Sequence, residues 1–320
     1  MPDLWRQLRF FPETFFQKKQ GQEMRHPIDG LQERLCGREK PVIKTPPRGW
    51  LPAIFVFAVM VLLADASRPV QAESPDISNR RSLERTEFTD REILDGFFKI
   101  AFGAELQLGR KIERIRKFDE PVRIFIDSAG EPDRRKEVAD VATDIRARVD
   151  HLDLTLARNA ETANVVVTLV RQRDVKKTVR RIFGRDHANR IQRSLDPQCL
   201  SGFGKDQQYR IRRAEVILPV DAGEFTFYDC AYEELLQALG PINDDSSVPW
   251  TMFNDEVQMG FFDIYDQYLL NILYDPRIRP GMSKGEVGKV LPEVLPAVRA
   301  WVAKANSVRD AHLPDRRRTD

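Results

Sequence analysis

The sequence predicts an α+β domain built on a mixed sheet with long helices, and three observations lead there. Residues 122–126 (VRIFI) alternate apolar and polar and carry β-branched side chains, as a half-buried strand does. Residues 163–170 (ANVVVTLV) form a continuous apolar run of strand length, as a strand covered on both faces does. Long helical patterns separate such runs and then close the chain without further strands, which is the order of an α+β domain.

The elements follow in order. Residues 73–86 (ESPDISNRRSLERT) are polar and without apolar periodicity, so they read as a linker. Thr89 and Glu92 have capping-box spacing ahead of ILDGFFKIAF, which predicts a helix of about three turns. Residues 131–152 open with Pro132 and repeat apolar side chains at Val138, Val141, Ala142, Ile145 and Val149, a helical stripe. Residues 171–193 are strongly basic, with Val175, Val179 and Ile182 on one helical face. That segment is either a patch for an anionic partner, such as a lipid headgroup or cell-wall polymer, or the solvated face of a packed helix. Gly202-Phe203-Gly204 reads as a turn, and residues 209–220 (YRIRRAEVILPV) as a strand. Helices are expected over 225–239, over 263–274, and over 290–303, the last entered after Pro292 or broken there. No internal repeat is evident. The boundaries are an extension over 1–48, a signal peptide or membrane anchor over 49–72, a linker over 73–86, the domain over 87–303 and a polar tail over 304–320.

Charge and compartment narrow the function. A net charge of +2 on 51 basic and 49 acidic residues gives no argument for nucleic acid as a partner. Residues 51–63 (LPAIFVFAVMVLL) are preceded by Lys44 and Arg48, and the run is too short for the roughly 20 residues of a spanning helix. It fits a signal-peptide core, with Val70 and Ala72 as the small residues of a cleavage site before Glu73. Met24 offers an alternative start. An uncut N-terminus, rich in Lys and Arg, would stay cytoplasmic and anchor the domain outside. Either way the domain is periplasmic or otherwise exported, and membrane contact is expected only through an uncleaved N-terminal segment. Cys199 and Cys230 are the two cysteines after the signal core, and they are read as a disulfide in an oxidising compartment or as two buried thiols.

The stretch CAYEELLQALGPIN, residues 230–243, carries the candidate site. It resembles the HExxHxxGxxH helix of metzincin proteases in spacing, with different ligands. On that frame Glu233 stands at the first histidine and Glu234 at the general base. Gln237 and Asn243 stand at the other two histidines, Gly240 at the turn glycine and Met252 at the Met-turn. Residues 261–276 resemble the C-terminal helix of that family. The segments YEELLQALGPIND, MFND and LYDPRIRPGM resemble an uncharacterised family of exported bacterial proteins, domain of unknown function 2927. The resemblance implies a zincin-like fold with a degenerate active-site helix and no established activity; a lipobox cysteine is missing, so no lipid anchor is expected.

The ligand types speak against zinc proteolysis. Imidazole suits zinc, whereas neutral Gln and Asn amides do not. His151, His187 and His312 are not paired at ligand spacing. Without a metal, Glu234 faces water too weakly acidic to deprotonate usefully. The expectation is therefore no resident cofactor and a non-catalytic domain that binds a peptide or cell-envelope component, with strand addition at the cleft edge as the mode. Glu233, Gln237 and Asn243 would then hydrogen-bond to one another. Two alternatives stand beside it. One is a metal-dependent hydrolase with a non-zinc divalent cation on oxygens of Glu233, Asp244 or Asp245; the other is a structural envelope protein.

Overall fold

The computed structural model describes residues 14–20 (backbone), 74–103, 113–186, 188–189, 197–241 and 243–310. The proposed signal core and cleavage site, His187 and His312 lie outside them. Among the described residues no helix is long and apolar enough to cross a membrane.

The strands are β1 (Thr14–Gln20), β2 (Val122–Ser128), β3 (Leu154–Leu156), β4 (Val165–Val170), β5 (Pro197–Lys205) and β6 (Ile211–Pro219). They form one sheet in the order β1-β5-β6-β4-β2-β3. β3, β2, β4 and β6 run parallel, while β5 is antiparallel to β6 and β1 antiparallel to β5. The mixed sheet of an α+β domain is thus present. The helices are α1 (Pro75–Ser82), α2 (Asp90–Ile100), α3 (Arg135–Arg148), α4 (Val175–Phe183), α5 (Glu224–Ala238), α6 (Ile264–Tyr274) and α7 (Lys284–Asp310).

Alternation along the strands divides the core. Val165, Val167 and Leu169 of β4, with Ala214, Val216 and Leu218 of β6, face the main core under α3, α5 and α6. Val170 and Ile217 point the other way, with Leu200, and meet Val175 and Val179 of α4 in a smaller cluster. Among the described residues, the sheet therefore lies between a thick helical layer and a thinner one made by α4 and Ala188.

Local sequence explains most of the elements. Thr89 and Glu92 form the expected capping box at the start of α2. α2 packs closely on α6: a Cβ at Gly96 would collide with the Tyr265 hydroxyl, which donates to the Glu92 carbonyl at 2.6 Å. α6 is buried along nearly its whole length and is capped by the Asp263 side chain, which accepts from the Asp266 amide.

Four expectations are corrected. Part of the supposed linker is helix α1, because Pro75 starts it and Ile77 docks into the core beside Gly260. α3 starts at Arg135, beyond Pro132, and ends at Arg148, because Val149 is extended and His151 takes φ +59°. Gly202-Phe203-Gly204 is not a turn: it lies within β5, bonded to a strand on each side. α7 runs through Pro292 and Pro296 rather than starting or breaking there. Its apolar stripe, Leu291, Val294, Leu295, Val298 and Val302, is buried against the rest of the core.

Candidate functional site

The site is built on α5, whose residues from Cys230 to Ala238 are all buried. A disulfide joins Cys230 to Cys199 of β5, with an S–S distance of 2.07 Å and Cα atoms 6.0 Å apart. Two turns further along α5, Gln237 makes a second link to the same strand, accepting from the Ser201 hydroxyl at 3.2 Å. Its amide donates to Glu233 Oε1 at 3.3 Å. Glu233 and Gln237, at the first two ligand positions, are therefore tied to each other and to β5.

Asn243, at the third ligand position, is carried elsewhere. After Gly240 and Pro241 the chain swings toward the end of α2, where the Asn243 amide donates to the Lys99 carbonyl at 2.9 Å. Gly240 itself has φ +138°, and a Cβ there would collide with the Arg116 carbonyl oxygen. Only glycine fits both demands. The turn is fixed from the other side by Tyr274, whose hydroxyl donates to the Leu239 carbonyl at 2.9 Å.

Carboxylates gather near Glu233. Oxygens of Glu233, Asp244 and Asp255 lie within 4.8 Å of one another. Asp245 is not among them: its side chain accepts from the amide and hydroxyl of Ser247 in its own loop. Asp255 went unnoticed in the sequence because its position depends on a loop closed by long-range bonds. Oxygen-only donors of this kind suit a hard cation such as calcium, magnesium or manganese, not zinc. Glu234 is completely buried. His151 is exposed and paired with Asp150 at 3.2 Å, apart from the cluster residues.

Met252 is buried, and its placement depends on two buried carboxylates of α6 and its cap, Asp266 and Asp263. Asp266 Oδ2 accepts the Met252 amide at 2.8 Å, and Oδ1 accepts the Thr251 hydroxyl at 2.5 Å. The Asp266 amide donates to Asp263 Oδ1 at 3.0 Å. Burial raises the pKa of both carboxyls: Asp263 goes well above the usual carboxylate range, with the neighbouring Asp266 adding to the rise. Asp266 is pushed up to about 6, with the Glu233 charge contributing. A surface pocket of about 370 Å³ has Asp263 in its wall together with Arg85, Trp250 and Met259. The helical-cap pattern before α6 was the one sequence signal for Asp263.

The segment LYDPRIRPGM clasps the strand-like stretch before β2. The Ile115 amide donates to the Met282 carbonyl, and the Gly281 amide to the Ile115 carbonyl, each at 2.9 Å. Lys117 Nζ donates to the Leu273 carbonyl at 2.8 Å and to the Asp275 carbonyl at 3.2 Å. Burial lowers the Lys117 pKa to about 8, against the opposing pull of Asp275. Its neighbour Arg116 is fully buried and donates to the Ala101 and Gly103 carbonyls.

A family model described as protein of unknown function (DUF2927) matches residues 90–293, the span that holds α2 to α6, β2 to β6 and the clasp. No curated protein and no solved structure matches the chain.

Proposed function

We propose that this chain, which belongs to the DUF2927 family, is an exported, zincin-like binding domain that takes an extended peptide segment by strand addition to the outer edge of β5. The observation that carries this reading is the pairing of that edge. Residues from Leu200 to Gly204 accept an antiparallel strand, here the chain's own Thr14–Gln20. Cleavage after Ala72 would remove Thr14–Gln20 from the domain, and retention of 49–72 as an anchor would leave it across the membrane. Both histories vacate the β5 edge, and main-chain groups along it then seek another strand. Ser201 and Cys199 fasten β5 to α5, so a segment bound there runs beside the helix with metzincin-like spacing.

The reading is tested with a variant lacking residues 14–20. Amides of residues 200–204 should exchange faster than in the full chain, and the peptide TFFQKKQ added back should restore their protection. Unchanged exchange at β5, or exchange that the peptide does not slow, would sink it.

A second reading, metal-dependent hydrolysis, is favoured by the approach of Glu233, Asp244 and Asp255. These three would hold a hard cation, which would supply Lewis acidity, and buried Glu234 would be the base. Calorimetric titration of the full chain with calcium, magnesium and manganese decides it. Saturable binding lost in Glu233→Gln, together with peptide hydrolysis that depends on the same ion, would displace the non-catalytic reading. Without such binding the carboxylates are part of the fold alone.

A further inference from the structure

α4 packs on the sheet face opposite the main core, in the small cluster that also holds Ala188, and its outward side is basic. Val175, Thr178 and Val179 are buried, with Ile182 half-buried beside them. Arg173, Lys176, Lys177, Arg180, Arg181 and Arg185 are all exposed. Within α4, Lys176 and Arg180 make one i, i+4 row and Lys177 and Arg181 a second beside it; Arg173 precedes the helix in a 3-10 turn and Arg185 follows it beyond Gly184. Four cations thus form a two-row array on a helix packed on the sheet, with one more beyond each end. Asp174 meets Arg173 at 3.8 Å, Asp186 is exposed, and Glu215 on the sheet beneath is held by Arg213 at 2.7 Å. The whole chain carries only +2, so this face is a local concentration of charge and not a sample of the average.

We infer that the α4 face docks electrostatically on a phosphate-bearing anionic lipid surface. Four of the six cations are arginines, whose planar guanidinium engages phosphate oxygens in pairs. The apolar side of α4 is committed to the small core cluster, so the contact is one of charge, without insertion of the helix. A flat double row matches a plane of headgroups better than a single polymer strand. This contact is additional to any made by the N-terminal segment and is independent of the β5 edge. Bound in this way, the domain would turn α5, α6 and α7 away from the membrane.

Co-sedimentation of the full chain with vesicles tests the inference. Pure phosphatidylcholine vesicles give the background of the apolar N-terminal run; vesicles with about one-third phosphatidylglycerol add the charge. Binding should be far stronger to the anionic vesicles and should fall steeply as salt shortens the screening length. Each surface cation contributes about fivefold, so K177E/R181E/R185E should lower anionic-vesicle binding by more than about a hundredfold. Background binding to phosphatidylcholine should not change. K177R/R181K should bind as the parent does, and K177Q/R181Q/R185Q gives a milder loss should the triple reversal fail to fold. Equal binding of the parent to both vesicle types, or a folded triple variant that binds like the parent, would overturn the inference. So would retention by soluble polyphosphate without a preference for anionic vesicles, which would assign the face to a polymer.

Discussion

Asp263 and Asp266 face each other within one turn of α6, the amide of Asp266 donating to Asp263 Oδ1 at 3.0 Å while its carboxylate holds Thr251 and Met252. Both side chains are buried, so two negative charges cannot be accommodated there at little cost. Because their pKa values are raised in the folded state, their contribution to stability is complete below about 3.8. It is lost as pH rises through about 6 for Asp266, and through the raised pKa of Asp263. The loss strikes the turn at residues 251–253, which leads directly to Asp255 of the carboxylate cluster.

Asp263→Asn mimics the protonated partner. An Asn at the cap still accepts the Asp266 amide, and its own amide can donate to the Asp266 carboxylate. The variant should match the parent near about pH 5 and be the more stable of the two near about pH 8. Urea midpoints at the two pH values check this. An equal pH dependence in both proteins would mean that the pair does not share a proton. Asp266→Ala, by contrast, strands the Thr251 hydroxyl and the Met252 amide, and should cost about 2–4 kcal/mol near about pH 5, with a smaller cost at higher pH where it also relieves the charged pair.

Gly240→Ala should destabilise the fold by about 2 kcal/mol or more, since it combines a left-handed φ with a collision against the Arg116 backbone. Leu239→Ala serves as the comparison, removing buried surface without touching the turn. Thermal melts read both. A Gly240→Ala variant as stable as the parent would show that the turn relaxes freely, and the frame linking α5 to Asn243 would then be slack.

The sequence made the α5 spacing visible and left its surroundings hidden, for a physical reason. Cap signals, strand alternation and helical stripes are local, so α2, β2, β4, α5 and α6 could be read from short windows. β5 could not: its apolar Phe203 sits between two glycines, and its strand character comes from neighbours on both sides. α1 is similar, since one docked side chain, Ile77, supports a polar helix. The site divides in the same way. Glu233 and Gln237, four apart on one helix, meet as expected, and the paired Cys199 and Cys230 are bridged. Asn243 lies beyond a turn set by Gly240 and Tyr274, and Asp255 beyond a loop set by Asp266. Neither position follows from counting residues.

Lys117 predicts a second pH effect of opposite sign. Folding favours its neutral form, with a pKa of about 8 against about 10.5 in the unfolded chain. The unfolded state therefore binds more protons between those values, and stability rises with pH across them. Lys117→Met should remove that rise, on the order of 2–3 kcal/mol for a shift of this size. It should also lose the bonds to the Leu273 and Asp275 carbonyls, and so be the less stable protein throughout. Denaturation at about pH 8 and about pH 10 separates the two effects: the slope reports the titration and the offset reports the clasp.

The Cys199–Cys230 bridge closes a loop with a sequence separation of 31 and holds β5 against α5 at the point where Ser201 and Gln237 also meet. Chain entropy puts its contribution at roughly 3.5 kcal/mol. Cys199→Ser with Cys230→Ser should lower the urea-derived stability by about that amount. Thiol labelling of the unreduced parent after unfolding should leave both cysteines unmodified. If the hydrogen bond from Ser201 to Gln237 shares the work of positioning α5, Ser201→Ala should be nearly harmless in the bridged protein and distinctly harmful in the reduced one. Four proteins, with and without the bridge and with and without the hydroxyl, complete a double-mutant cycle. An additive result would mean that the bridge alone fixes β5 on α5, and that Gln237 contributes only through its bond to Glu233.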